Sequence, residues 1–324
     1  MNKYRVIGNV LAVLSFGLAG LASAQSFPDR PITLVVPNPP GGLVDTSARL
    51  LSEPLTRVIG QTVVVDNKPG ASGNIAYQYV ANAKPDGYTL LISYSGYHVG
   101  NPALFDKLAW DPIKDFSPVA LLTVSTNVIA VHPSVPVNNL KEFIAYAKAN
   151  PGKLNYASQG NGSVSHIGTE IFKQTTGVEM VHVPYKGSGP AIQDVLAGQV
   201  QVFISTPPSL MQHVQSGKLK GLAVTGKNRH PGMPNVPTTA EAGLPSFQLE
   251  SWVALYAPAG TPAPVITKLT NSVKKSLALP EVKERSDAAG VELRYLNPAQ
   301  TDALVKKEIP LWGKAIKSAN ITLD

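Results

Sequence analysis

The chain of 324 residues contains no cysteine. That absence excludes disulfides, thiolate catalysis, thiolate metal ligation and an acylated N-terminal cysteine anchor. Charge is scarce as well. Asp, Glu, Lys and Arg make up 15% of residues against 44% hydrophobic ones, enough apolar material for one large core or two medium ones. No dense basic tract is present, which argues against nucleic acid as a partner. Long apolar runs are missing too. The one candidate, Val10 to Leu21, is shorter than the ~20 residues that a membrane span needs.

That short run sits in an informative setting. Lys3 and Arg5 precede it, and Ala22-Ser23-Ala24 follows with small residues where a signal peptidase requires them. Residues 1–24 therefore read as a secretory signal peptide cleaved before Gln25, which points to a bacterial periplasm. Removing Lys3 and Arg5 takes the formal charge from +7 to +5 (7 − 2), because residues 1–24 hold no acid. So mild an excess suits an ordinary solvated surface as well as a preference for acidic small molecules.

Beyond residue 24, short apolar strand patterns alternate with helix patterns. The strands read include Ile32–Val36, Thr62–Asp66, Thr89–Ser93, Val128–His132, Val181–Pro184, Val200–Ile204, Leu219–Thr225 and Ser251–Tyr256. Helix patterns fall near 43–59, 74–83, 140–149, 164–176, 189–197 and 208–216, and the chain from Pro262 onward reads mostly helical. Continuous apolar strands between helices predict an α/β protein with mostly parallel sheets covered on both faces. The length favours two such domains over one. Pro54 interrupts the first helix pattern and predicts a kink or a lost hydrogen bond there.

Three strand exits share one kind of chemistry: NPPGGLVDTS (38–47), YASQGNGSVSHIG (156–168) and VPYKGSGPA (183–191). Each places glycines or small residues just before a helix, where free N–H groups point outward. Prolines stiffen such a loop, and glycines allow close approach of a ligand. Any one of them alone is an ordinary connection; three together predict an anion site at the strand ends. Asp45 reads as a cap of the first helix, and His166, three residues after Ser163, as a ligand contact or a local cap.

Familiar catalytic signatures fail. GLAVTGKN (221–228) has the phosphate-loop spacing, but Asn228 stands where a hydroxyl should hold magnesium, and its interior is apolar strand. GNGSVS (160–165) lacks the third glycine of a dinucleotide loop, and neither G-x-S-x-G nor H-E-x-x-H occurs. Nothing calls for a cofactor or a metal.

In order along the chain come VVPNPPGGLVDTSARLL, GQTVVVDNKPGASGNIA, AKPDGYTLL, KDFSPVALL, NYASQGNGSVSHI, VPYKGSGPAIQDVLAGQV, GKLKGLAVTGKNRHPGMPNVPTTAEAGLP and WVALYAPAGTP. Together these resemble the substrate-binding proteins of tripartite tricarboxylate transporters, the Bug family of periplasmic receptors, from about Asp29 to the C-terminal helix. The resemblance implies a two-lobed periplasmic-binding-protein fold of type II-like form, with the ligand in the cleft and no catalysis. It implies that residues 25–124 and 250–324 form one lobe and 125–249 the other. Its ligand loops carry over to Asn38, Pro40, Gly41, Gly42, Leu43, Val44 and Asp45, with Tyr94, Ser95, Tyr97 and His98, in the first lobe. In the second they carry over to Ser158, Gln159, Gly160, Asn161, Gly162, Ser163 and His166, then Tyr185 and Lys186, then Ser205, Thr206 and Pro207. Backbone N–H groups of Gly41, Gly42 and Leu43 would clasp one carboxylate.

One departure bears on the ligand. Many relatives read roughly G-x-V-D-L-M-F-D where this chain has GQVQVFIS (198–205), so Ser205 replaces an acid able to pair with an ammonium. That favours a plain carboxylate or dicarboxylate over an amino acid, and Tyr94, Tyr97 and His98 would suit an aromatic acid such as terephthalate. The implied partner is a two-subunit inner-membrane permease, with the receptor a monomer. A two-component sensor as partner, or a secreted hydrolase using His166 and a nearby serine, are the alternatives.

Overall fold

The computed structural model describes residues 27–318 and Ile321. The expected leader and its cleavage site lie outside the described residues. Two sheets organise the rest. The first has the order β11-β4-β10-β3-β1-β2 and the second β7-β6-β8-β5-β9.

In the first sheet, β1 (Ile32–Val36) runs parallel to β2 (Val63–Asn67) and β3 (Thr89–Tyr94). Strand β10 (Glu250–Pro258) lies antiparallel between β3 and β4 (Phe116–Thr126), and β11 (Glu292–Leu296) pairs antiparallel with β4 on the far edge. The second sheet repeats the plan. Strands β6 (Asn155–Ser158), β7 (Val181–Pro184) and β8 (Val202–Ser205) are parallel. Strand β5 (Val128–Val131) lies antiparallel between β8 and β9 (Lys220–Val224). Each sheet thus takes, between its third and fourth strands, the strand that arrives from the other sheet. These insertions make both sheets mixed, although most strands in each still run one way.

Helices cover the faces. In chain order they are α1 (Leu43–Ile59), α2 (Asn74–Ala81), α3 (Ser95–His98), α4 (Asn101–Leu104), α5 (Leu140–Ala149) and α6 (Val164–Thr176). There follow α7 (Ser188–Leu196), α8 (Pro207–Gln215), α9 (Ala263–Leu277), α10 (Pro280–Ala289) and α11 (Pro298–Ser318). Strand β5 shows the two-sided burial directly: Ile129 and Val131 join the larger core cluster, Val128 and Ala130 a second one with Ala191, Val195, Phe203 and Leu210. Period-two alternation with both faces apolar is what a covered central strand requires. Helix α1 buries Val44, Ala48, Leu51, Leu55 and Ile59 along one stripe and continues through buried Pro54 to Gly60, whose φ of 81° ends it. None of the described helices is long and apolar enough to cross a membrane.

The chain passes between the sheets twice, at Asn127 and over 225–249, and the two passages are tied together. Asn127 N–H donates to Thr225 Oγ1 at 2.8 Å, Thr225 N–H donates back to Asn127 O at 2.9 Å, and Asn127 Nδ2 donates to Leu249 O at 3.2 Å. Asn127 is 1% exposed, so these bonds satisfy a polar group that burial would otherwise penalise.

Candidate functional site

The loop after β1 and the start of α1 are held by one carboxylate. Asp45 is buried, and its Oδ2 accepts Gly41 N–H at 3.2 Å and Arg49 Nε at 3.0 Å. Its Oδ1 accepts Asn67 Nδ2 at 3.0 Å, and the same Nδ2 reaches Asn38 O at 2.8 Å. Asp45 therefore does not cap α1; it folds the preceding loop back and consumes Gly41 N–H. The helix begins at Gly42 with no capping side chain, and its first internal bond is Thr46 N–H to Gly42 O at 2.9 Å. The N–H groups of Leu43 and Val44 precede that ladder, so they replace Gly41 as the donors left for an anion.

Across the cleft, the loop after β6 is knotted by its own hydroxyls. Ser163 caps α6 by accepting His166 N–H at 3.3 Å, and its Oγ donates to Gly160 O at 2.7 Å. Gln159 N–H donates to Ser165 Oγ at 2.9 Å, while Gln159 Nε2 donates to Ser188 Oγ at 2.7 Å and Ser205 Oγ at 3.2 Å. That amide joins the exits of β6, β7 and β8. Helices α7 and α8 start at Gly187 and Thr206 with no side-chain cap, and the buried Thr206 Oγ1 has no partner.

The two walls meet closely. A Cβ on Gly42 would lie 3.0 Å from Ser188 Oγ, and one on Gly187 would lie 2.9 Å from the Pro39 ring. Ser72 Oγ donates to Asn161 O at 2.7 Å, and a Cβ on Gly96 would come within 3.0 Å of Val164 N. The starts of α1 and α7 thus face one another, positive end toward positive end. Asp45 is the one acid among the candidate residues, and it is already paired with Arg49. The lining is otherwise N–H groups, hydroxyls and amides, a surface suited to an anion.

Several expected contacts lie elsewhere. His98 is fully buried, stacked on Tyr256 at 4.6 Å among Tyr77, Trp110, Phe116 and Trp252, with Nε2 donating to Pro112 O at 3.1 Å. The short helix α3 turns it inward instead of along the cleft. Burial holds its imidazole neutral, with the pKa lowered to about 3. Tyr94 and Tyr97 are also buried, edge to face at 5.3 Å. Asn38 Nδ2 donates to the Tyr97 hydroxyl at 3.1 Å, so Tyr97 braces the loop from below, its own ionisation pushed up to about 12 by burial. Tyr185 points to α7, donating to Asp194 at 2.7 Å, and Lys186 is exposed. His166 is 7% exposed and its Nδ1 accepts Gly162 N–H at 3.1 Å.

Sequence reading overlooked Ser188, Ser72 and His182. Ser188 was visible as the middle of GSG ahead of a helix; the other two carry no local signal. His182 Nε2 lies 2.6 Å from Ser158 Oγ, the contact of a nucleophile with its base. Yet Ser158 is fully buried and also accepts Gly160 N–H at 3.2 Å, so the pair braces a loop. No cluster of metal-ligating side chains occurs among the described residues.

Two α/β lobes joined by paired crossings, with uncapped helix starts converging between them, define a solute-binding receptor of the periplasmic-binding-protein class. The family profile of the tripartite tricarboxylate transporter family receptor matches residues 47–321, and the chain belongs to that family. Among solved structures it is similar to the periplasmic binding protein BugD, at 36% identity and a TM-score of 0.87 over 91% of this chain and 99% of that one. It is similar to R. palustris Rpa4515 with adipate, at 38% identity and a TM-score of 0.88 over 91% and 99% of the two chains. A third is MatC from Rhodopseudomonas palustris with bound malate, at 37% identity and a TM-score of 0.84 over 90% and 100%. The first of these is a periplasmic binding protein, and the other two hold a carboxylate.

Proposed function

We propose that this receptor captures a small organic dicarboxylate in the periplasm and delivers it to a two-subunit membrane permease of the tripartite tricarboxylate kind. The observation that carries the reading is the approach of Gly42 to Ser188, which sets two uncapped helix starts face to face. Each such terminus favours an anion by roughly 0.3–1 kcal/mol. A carboxylate between them converts mutual repulsion into attraction, so binding and lobe closure support one another. The adipate and malate held by its structural neighbours favour an aliphatic diacid for this chain too. Tyr94 and Tyr97, buried beneath the loop, offer no ring to stack on terephthalate.

The passages at Asn127 and 225–249 are the hinge, and residues on either side belong to separate lobes. Export follows cleavage after Ala24, which N-terminal sequencing of the secreted protein checks. Calorimetry against malate, succinate, adipate, terephthalate and glutamate tests the ligand class. The expected result is one-to-one binding of an aliphatic diacid recovered intact. Turnover of the acid, or no binding by any diacid, overturns the reading.

A further inference from the structure

Behind the second-lobe wall stands a column of three rings. His166 and His182 stack at 4.1 Å with planes 6° apart, and Tyr156 covers the other face of His182 at 4.9 Å and 17°. The hydrogen bonds fix how the imidazoles are protonated. Gly162 N–H can only donate, so His166 Nδ1 is an acceptor and that ring carries its proton on Nε2. Ser158 Oγ is fully buried and has two partners; Gly160 N–H can only donate, so His182 Nε2 is the one acceptor for the hydroxyl proton, and satisfying that proton puts the ring's own on Nδ1.

Lys173 opposes an imidazolium on either ring, and Glu170, which favours one at His166, already has two partners. Glu170, the carboxylate on α6 beside the column, accepts the Tyr156 hydroxyl at 2.5 Å and Lys173 Nζ at 2.8 Å on the same oxygen. Lys173 itself adds positive charge, 5.6 Å from the Tyr156 ring. The remaining polar neighbour of His182 is Ser158 on β6. Desolvation is the largest influence and lowers both imidazoles, His182 to about 3; Lys173 adds to it at both rings, and Glu170 offsets it only in part at His166.

We infer that His182 is a positioning residue for ligand binding: stacked on His166, it holds the Ser158–Gly162 loop in its receiving shape by accepting the Ser158 hydroxyl. The inference deepens the proposed function and rests on the reading that this loop receives a carboxylate. Position explains the reach of the residue. His182 lies in β7, whose exit carries Tyr185, and Tyr185 N–H donates to Ser158 O at 3.1 Å. The imidazole and that backbone bond both fasten Ser158, one at its hydroxyl and the other at its carbonyl. Protonation at Nε2 would turn its acceptor into a donor and release Ser158.

Nitrogen-15 imidazole spectra of the ligand-free protein at pH 7, together with binding by variants, test this. The expected spectra show two neutral rings, His166 protonated on Nε2 and His182 on Nδ1. His182→Phe keeps a stacked ring without an acceptor; it should shift the Gly160 and Gly162 amide resonances and weaken adipate or malate binding at least tenfold, with little change in the thermal midpoint. His182→Asn, which offers an amide oxygen to Ser158, should recover part of that loss. A His182 protonated on Nε2 at pH 7, or unmoved glycine amides in His182→Phe, overturns the inference. Should neither diacid bind the wild type, the dicarboxylate reading falls, while the tautomers and glycine amides still decide the role of His182.

Discussion

The Oγ of Ser188 stands 3.0 Å from the place a Cβ on Gly42 would occupy, so the first residue of α7 and the residue before α1 share one tight contact. Gly42 has φ −113° and ψ −178°, an extended conformation open to any residue. A side chain there meets no backbone strain; it meets the opposite wall. Gly42→Val should therefore weaken diacid binding more than tenfold, with a thermal midpoint of the ligand-free protein within a few degrees of wild type. Lys186→Ala, at an exposed side chain, should change affinity by less than threefold. Calorimetry and thermal melts on both variants check this, and the reverse ranking would make a salt bridge the main holder of the anion.

Asp45 collects three hydrogen bonds in a site 4% exposed. Removing it leaves Gly41 N–H without its acceptor and Asn67 Nδ2 with Asn38 O alone, and bonds to charged groups contribute about 1.5–3 kcal/mol each. Asp45→Ala should lower stability by about 2 kcal/mol and also reduce affinity, because the loop that presents Leu43 and Val44 loses its tether. Urea denaturation reports the first effect and calorimetry the second. A destabilised variant with unchanged affinity would show that the tether does not shape the site.

Ser205 is 1% exposed and takes a bond from Gln159 at 3.2 Å. Ser205→Asp would put a carboxylate at the meeting point of three loops. The expected outcome is at least tenfold weaker succinate binding and a gain for aspartate over succinate relative to wild type. Matched titrations with the two ligands measure the ratio; an unchanged ratio would place Ser205 outside the ligand's reach.

Acid should weaken the fold through His98. The unfolded chain takes up a proton near 6.5, whereas the buried ring in the folded chain resists one until about 3. Above pH 6.5 the two states bind equally, and stability is lost progressively as pH falls from 6.5 toward 3. The slope contributed by one such group approaches about 1.4 kcal/mol per pH unit. His98→Phe, which keeps a ring in the aromatic nest, should make the dependence of urea midpoints between pH 6 and roughly 4 shallower, by one proton's share, while His182, also lowered to about 3, keeps its own. Parallel slopes for variant and wild type would assign the acid sensitivity to other groups.

Much of this site was written locally. The prolines and glycines at 38–42 and the GNGS and KGSG strings announce strand exits that feed helix starts, and those loops do converge. Helix patterns at 43–59, 140–149 and 164–176 matched their elements because each carries a clean apolar stripe. Strands β4 and β11 were missed, and β6 was read only as a strand exit without bounds: β6 is only NYAS, and ELRYL on the edge is half-polar. His98 misled because SYSGYH reads as a loop, whereas four residues of helix turn its ring into a nest assembled from distant segments. Asp45 misled because a carboxylate three residues into a helix usually serves that helix, and here Gly41, Arg49 and Asn67 claim it. The Gln159 amide needed three strands in place before its partners could be named.

The exchanged strands dictate an order of assembly. Strands β3 and β4 pair with each other only through β10, which lies beyond all of β5 to β9 in the chain. As the polypeptide is threaded out N-terminus first, the opening half of the first sheet must wait with a missing middle while the second sheet, contiguous from Val128 to Val224, completes itself. The part made first is finished last. A chain ended after Leu249 should accordingly protect the amides of β5–β9 from hydrogen exchange while leaving those of β4 open, and protection of β4 in that fragment would refute this sequence of events.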